Sequence, residues 1–98
     1  MPGNINVGEY HWYKFTAPST GMYSFYTENS FDTYGELFNS VVPARSITGR
    51  LTYNNNGNGN LNFKIDYQLN AGQIVYLRVR GNGWTKTGNY TLRIAKLS

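Results

Sequence analysis

The stretch that most constrains this chain is FKIDYQLNAGQIVYLRVR, Phe63 to Arg80. Phe63, Ile65, Tyr67 and Leu69 alternate with Lys64, Asp66 and Gln68, which is the period of a strand with one buried and one wet face. Asn70-Ala71-Gly72 breaks the run, because Gly reaches backbone angles that other residues adopt only with strain. Beyond it Val75, Leu77 and Val79 alternate with Tyr76, Arg78 and Arg80. Two such strands on so short a link form either a hairpin or a passage between the two layers of a sandwich. The other segments pack around this pair.

Taken in order, residues 1 to 8 read as a lead-in. Glu9 to Ala17 is strand-like, with Tyr13 and Phe15 on one side and Trp12, Lys14 and Thr16 on the other. Pro18-Ser19-Thr20-Gly21 is turn chemistry. In Met22 to Thr27, Tyr23 and Phe25 oppose Ser24 and Tyr26. Tyr34 to Asn39, Arg50 to Tyr53 and Asn89 to Lys96 are further short strands, while Ser40 to Gly49 is ambiguous and the Asn/Gly-rich run from Asn54 to Asn62 is loop. Helical periodicity does not persist over three turns anywhere. Short strands with Gly-containing turns predict an all-β fold, an antiparallel two-sheet β-sandwich of jelly-roll type, spanning residues 1–98 as one unit.

Composition narrows the partners. With no Cys in 98 residues, disulfides, thiolate metal sites and cysteine nucleophiles are excluded. Charged residues make up 14% and aromatics 16%, nine of them Tyr, so the surface is built from Asn, Gly, Ser, Thr and Tyr. Such surfaces suit polar, uncharged ligands, because Tyr joins an apolar face to a hydroxyl and loses few rotamers on binding. The net charge of +4 is mild. Arg78, Arg80, Arg93 and Lys96 are scattered along the sequence, so no nucleic-acid partner is expected. No segment has the length or apolarity of a membrane span. Met1-Pro2-Gly3-Asn4 lacks the features of a signal peptide, and the start reads as that of a module cut from a longer secreted chain.

Catalysis is not expected. The only acids are Glu9, Glu28, Asp32, Glu36 and Asp66. Glycoside hydrolysis requires two carboxylates at a fixed separation across a cleft, and of these five only Glu28 and Asp32, flanking one loop, offer a general base. The single His, His11, has no companion Ser or Cys in a nucleophile motif. Glu28 and Asp32 flank one polar loop, and with backbone oxygens they form the one candidate for a calcium site. An ion there would be structural, and the other reading of the loop is a set of Asx turns. No cofactor is required.

Exposed aromatics carry the functional expectation. Sugar rings present flat C–H faces that stack on Trp or Tyr, and their hydroxyls are met by charged and amide groups. Trp84 sits in the Gly-rich GNGWTKTG loop, where it either binds or folds back over a sheet edge. Trp12 is divided between burial and binding. Tyr26, Tyr34 and Tyr76 fall on the outward sides of their strands. On a shared sheet they would form a flat platform bordered by Arg78 and Glu36; otherwise they are cross-strand packing.

The segments WYKFTAPSTGMYSFYT, DTYGELFN, FKIDYQLNAGQIVYLRVRG and GNYTLRI, in this order and spacing, resemble the bacterial pre-peptidase C-terminal type domain, a β-sandwich appended to secreted hydrolases and similar to carbohydrate-binding modules. The chain departs from that pattern where NNNGNGN replaces an acidic loop, and at Trp84. The resemblance implies a secreted, extracellular, non-catalytic module that is covalently linked to a hydrolase. Joined to the surface chemistry, it predicts binding of a polysaccharide, a β-glucan such as cellulose, through Trp84, Trp12 and the Tyr platform, with Arg78 and Glu36 hydrogen-bonding hydroxyls. The alternative is an accessory domain of a secreted protease that binds a protein substrate such as collagen or aids secretion.

Overall fold

The computed structural model describes residues 2–6, 8–28, 31–43, 46–55, 62–81 and 87–97. Its elements in chain order are β1 (Pro2–Ile5), β2 (Tyr10–Thr16), β3 (Gly21–Glu28), β4 (Thr33–Phe38), β5 (Arg50–Asn54), β6 (Lys64–Leu69), β7 (Ile74–Gly81) and β8 (Gly88–Lys96). They form two antiparallel four-stranded sheets packed face to face, the first in the order β1-β8-β3-β6 and the second in the order β2-β7-β4-β5. This is the strand order of an eight-stranded jelly roll.

The central stretch resolves in favour of the layer passage, since β6 lies in the first sheet and β7 in the second. The link between β2 and β3 crosses in the opposite direction, and the two links bond to each other. Ala17 N donates to Gln73 O at 2.9 Å, and Gly72 N donates to Ala17 O at 2.8 Å. Ala71 N donates to Thr20 Oγ1 at 3.0 Å. Gly72 holds φ of +83°, a left-handed angle that a side chain would oppose.

The core forms where the alternating apolar residues of both sheets meet. Tyr23 and Phe25 of β3, Ile65 and Leu69 of β6, Leu37 of β4, Val75, Leu77 and Val79 of β7, and Tyr90 and Leu92 of β8 are buried there. Phe15 bridges the sheets edge-on, with its ring 5.3 Å from Tyr23 and 5.5 Å from Phe25. Gly35 has a steric reason: a Cβ on it would come within 2.3 Å of the Phe63 ring, so β4 can lie over that ring only without a side chain.

The lead-in expected over residues 1 to 8 is corrected in part. Pro2–Ile5 is an edge strand paired with β8, and Ile5 is buried in the core. Four residues reading Pro-Gly-Asn-Ile carry too little alternation to mark a strand. The ladder to β8 supplies what the pattern lacks.

Candidate functional site: the outer face of the second sheet

Register places a concentrated polar and aromatic set on the outside of the second sheet. One row across the four strands is Trp12, Arg78, Glu36 and Tyr53. On one side of it lie Tyr10, Arg80 and Tyr34, and on the other Lys14, Tyr76, Phe38 and Arg50. A bulge between Leu37 and Phe38 resets the alternation of β5. Leu51 then packs on the core while Arg50 turns outward.

Glu36 is the hub. Arg78 grips it in a two-pronged contact, Nε to Oε1 and Nη2 to Oε2, both 2.9 Å. Arg80 Nε donates to Oε1 at 3.0 Å, and Arg50 Nη1 donates to Oε2 at 3.1 Å. Four donors meet a carboxylate with about four acceptor positions. Glu36 and Arg78 have side-chain exposures of 0% and 1%, although both point away from the core between the sheets. Neighbouring groups bury them. Arg78 Nη2 donates to Ser46 O, at 3.0 Å, in the β4–β5 connection. Its guanidinium also lies 4.8 Å from the Phe38 ring centre and 5.4 Å from that of Trp12.

Burial alone would raise the Glu36 pKa. The bonds from Arg78 and Arg50 and the charges of Arg80 and Arg78 outweigh it, so the carboxyl titrates below its ordinary range. Tyr34 is pushed up, chiefly by burial; Glu36 and Tyr53 add to this while Arg50 and Arg80 oppose it. Beside the hub, two phenol rings lie between two guanidiniums. Arg80 lies 4.0 Å over the Tyr34 ring, the Tyr34 and Tyr53 rings are parallel within 4° at 5.7 Å, and Arg50 lies 4.2 Å over Tyr53. Tyr53 keeps 54% of its surface open.

The residues expected from sequence separate into groups. Tyr34 and Tyr76 do share the second sheet, on its outer face, but Tyr26 belongs to β3 in the first sheet. There it lines a shallow depression with Ser24, Glu28, Lys64, Ala95 and Leu97. The three-Tyr platform is therefore corrected: the chain changes sheet between β3 and β4, so Tyr26 lies on the opposite outer face from Tyr34 and Tyr76. Arg78 and Glu36 do not border an open surface, because each is buried against the other. Trp12 packs edge-on against Phe38, ring centres 5.1 Å apart, and stays half-buried. Trp84 lies outside the described residues.

The calcium expectation at Glu28 and Asp32 concerns a loop of which residues 29 and 30 lie outside the described residues. Arg93 Nε donates to Glu28 Oε2 at 3.1 Å, and a guanidinium there is a poor neighbour for a second cation. Among the described residues no three His, Cys, Asp or Glu gather as a metal site. His11 instead joins a hydrogen-bonded cluster, with Nδ1 2.6 Å from the Tyr90 hydroxyl, itself 2.5 Å from that of Tyr13.

Arg50, Arg80, Tyr53 and Phe38 belong to the site and were not singled out from sequence. Arg80 was visible in the alternation of β7. Arg50 and Tyr53 were not, since three residues of spacing in a regular strand puts them on opposite faces. A scan against protein-family models, a search of the curated proteins and a search of the solved structures each found no match to this chain.

Proposed function

We propose that this chain is a non-catalytic, secreted module that holds a polysaccharide against the outer face of its second sheet and thereby brings an attached hydrolase to its substrate. The observation that carries this reading is the strip Arg80, Tyr34, Tyr53 and Arg50, in which two stacked phenol rings lie between two guanidiniums and the Tyr53 ring is open to solvent. Phenol rings offer apolar area to sugar C–H groups, and guanidiniums donate to ring substituents. Rigid planar groups already stacked on one another lose little entropy when a ligand arrives. Trp84 is the second anchor of this proposal, on sequence grounds.

Affinity electrophoresis through gels containing soluble polysaccharides, neutral and acidic, tests it with the wild type, Tyr53→Ala and Trp84→Ala. Retardation of the wild type, reduced in Tyr53→Ala, is expected. A folded protein retarded by no polysaccharide in the panel sinks the proposal.

A second reading has its own observation. Val41 and Ile47, in the β4–β5 connection that supplies Ser46 O to Arg78, are 55% and 59% exposed. Apolar side chains beside an aromatic and arginine surface fit a protein partner, as in an accessory domain of a secreted protease. In that case Ile47→Ser weakens capture of a protein substrate such as collagen while Tyr53→Ala does little.

A further inference from the structure

The two outer faces differ in charge. On the first sheet, Lys64 and Arg93 are matched by Glu28 and Asp66, and Arg93 pairs directly with Glu28. On the second, register places Lys14, Arg50, Arg78 and Arg80 together with one carboxylate, Glu36. Asp32 precedes β4 by one residue. Counting it still leaves an excess of two positive charges. That excess is half of the chain's net charge of +4.

The excess is available to a ligand. Three guanidiniums converge on Glu36. Arg78 is sealed, whereas Arg50 and Arg80 keep 20% and 12% of their side chains open. Arg50 bonds Glu36 through Nη1 alone, so among the described residues the rest of its fork has no acceptor. It stands over Tyr53, the most exposed ring of the strip. Lys14 is exposed on β2 opposite Tyr76 and forms no ion pair with a described residue. Charges held over low-dielectric, buried groups project further than the same charges on a wet surface.

We infer that the polysaccharide accepted by this face is anionic, bearing carboxylate or sulfate groups, rather than the neutral β-glucan expected from sequence. The inference rests on the polysaccharide reading above and names its ligand class. A uronate or a sulfated sugar joins a ring that packs on Tyr53 to an oxyanion that Arg50 meets with its remaining donors. A guanidinium fork suits either oxyanion. Lys14, across the sheet, engages a second charge along the chain. Arg78 and Arg80 contribute field and hold Glu36 in place.

The test is gel retardation, followed by titration calorimetry, on four polymers: polygalacturonate, dextran sulfate, neutral hydroxyethylcellulose and single-stranded DNA. The proteins are the wild type, Arg50→Gln and Lys14→Glu, and the exposed position of Lys14 keeps that variant folded. Acidic polysaccharides are expected to bind and the neutral one not. Two or three contacts predict a loss of affinity of at least about tenfold between about 50 and about 500 mM salt, by counterion release. Both variants are expected to bind several-fold more weakly. Binding to polygalacturonate alone identifies carboxylate as the group read, and binding to dextran sulfate alone identifies sulfate; either supports the inference. Equal binding of hydroxyethylcellulose, indifferent to salt and to both variants, overturns the inference and leaves the polysaccharide proposal standing. DNA binding as tight as either acidic polysaccharide overturns it in favour of plain polyanion attraction. No binding to any polysaccharide removes the proposal beneath it.

Discussion

Replacing Glu36 by Gln keeps the shape of the hub and deletes its charge. In the wild type the carboxylate accepts from Arg78, Arg80 and Arg50 at 2.9–3.1 Å. After the change Arg78, at 1% exposure, retains its charge without a counterion, beside two further guanidiniums that repel it. Removing one partner of a buried pair costs about 3–5 kcal/mol. The amide carbonyl of Gln still accepts one bond, which argues for the lower end. For a domain of this size each kcal/mol moves Tm by roughly 4–8 °C, so a fall on the order of 15–25 °C is expected. Urea unfolding should show a lower midpoint with an unchanged slope, since the same surface is exposed. The double variant Glu36→Leu/Arg78→Met separates charge from packing. Apolar replacement of a buried pair is often neutral or stabilising, so the double variant should be more stable than Glu36→Gln alone. A Glu36→Gln protein within about 1 kcal/mol of wild type would refute the reasoning, because pairs of that strength belong to solvated surfaces.

The same hub gives a pH dependence. Glu36 titrates below its ordinary value of about 4.5 when folded, so its contribution is complete above that pH and is lost as pH falls through the folded pKa; Tm followed downward from pH 6 should drop more steeply for wild type than for Glu36→Gln. Gly35→Ala drives a methyl group into the Phe63 ring and should cost about 1–3 kcal/mol, the range for overpacking, in denaturant unfolding; a neutral result would mean that β4 can move off the ring. His11→Leu removes a partner from the Tyr90 hydroxyl, which keeps Tyr13, and should lower stability by about 1–2 kcal/mol by the same measurement.

The layer architecture was legible because one signal repeats. Alternation marks β2, β3, β6, β7 and β8, and in each the apolar set faces the partner sheet. Which outward residues share a face was not legible, because alternation assigns a side of a strand but not a sheet. Tyr26 and Tyr34 carry the same outward signal and end on opposite faces of the molecule. Glu36 and Arg78 looked like surface groups for the same reason, since a charged residue at an outward position is usually wet. Only the pairing of β4 with β7 sets them opposite each other. A distant carbonyl, Ser46 O, then helps to bury them.

That burial changes what the outer face can be used for. A solvated sheet surface would leave each Arg free to swing into water. Here Arg78 is fixed by Glu36, Ser46, Trp12 and Phe38, and it in turn fixes the carboxylate to which Arg50 and Arg80 bond. Arg50 and Arg80 then hold the faces of Tyr53 and Tyr34. The rim is therefore ordered from beneath, which predicts that binding and stability share the hub but separate at the edge. Tyr53→Ala, at a half-exposed ring, should move Tm little and weaken polysaccharide retention strongly. Arg78→Met leaves Glu36 buried with fewer donors and should damage both. If Tyr53→Ala destabilised the fold as much as Arg78→Met does, the strip would be a structural clasp, and the site would have to be sought elsewhere on the molecule.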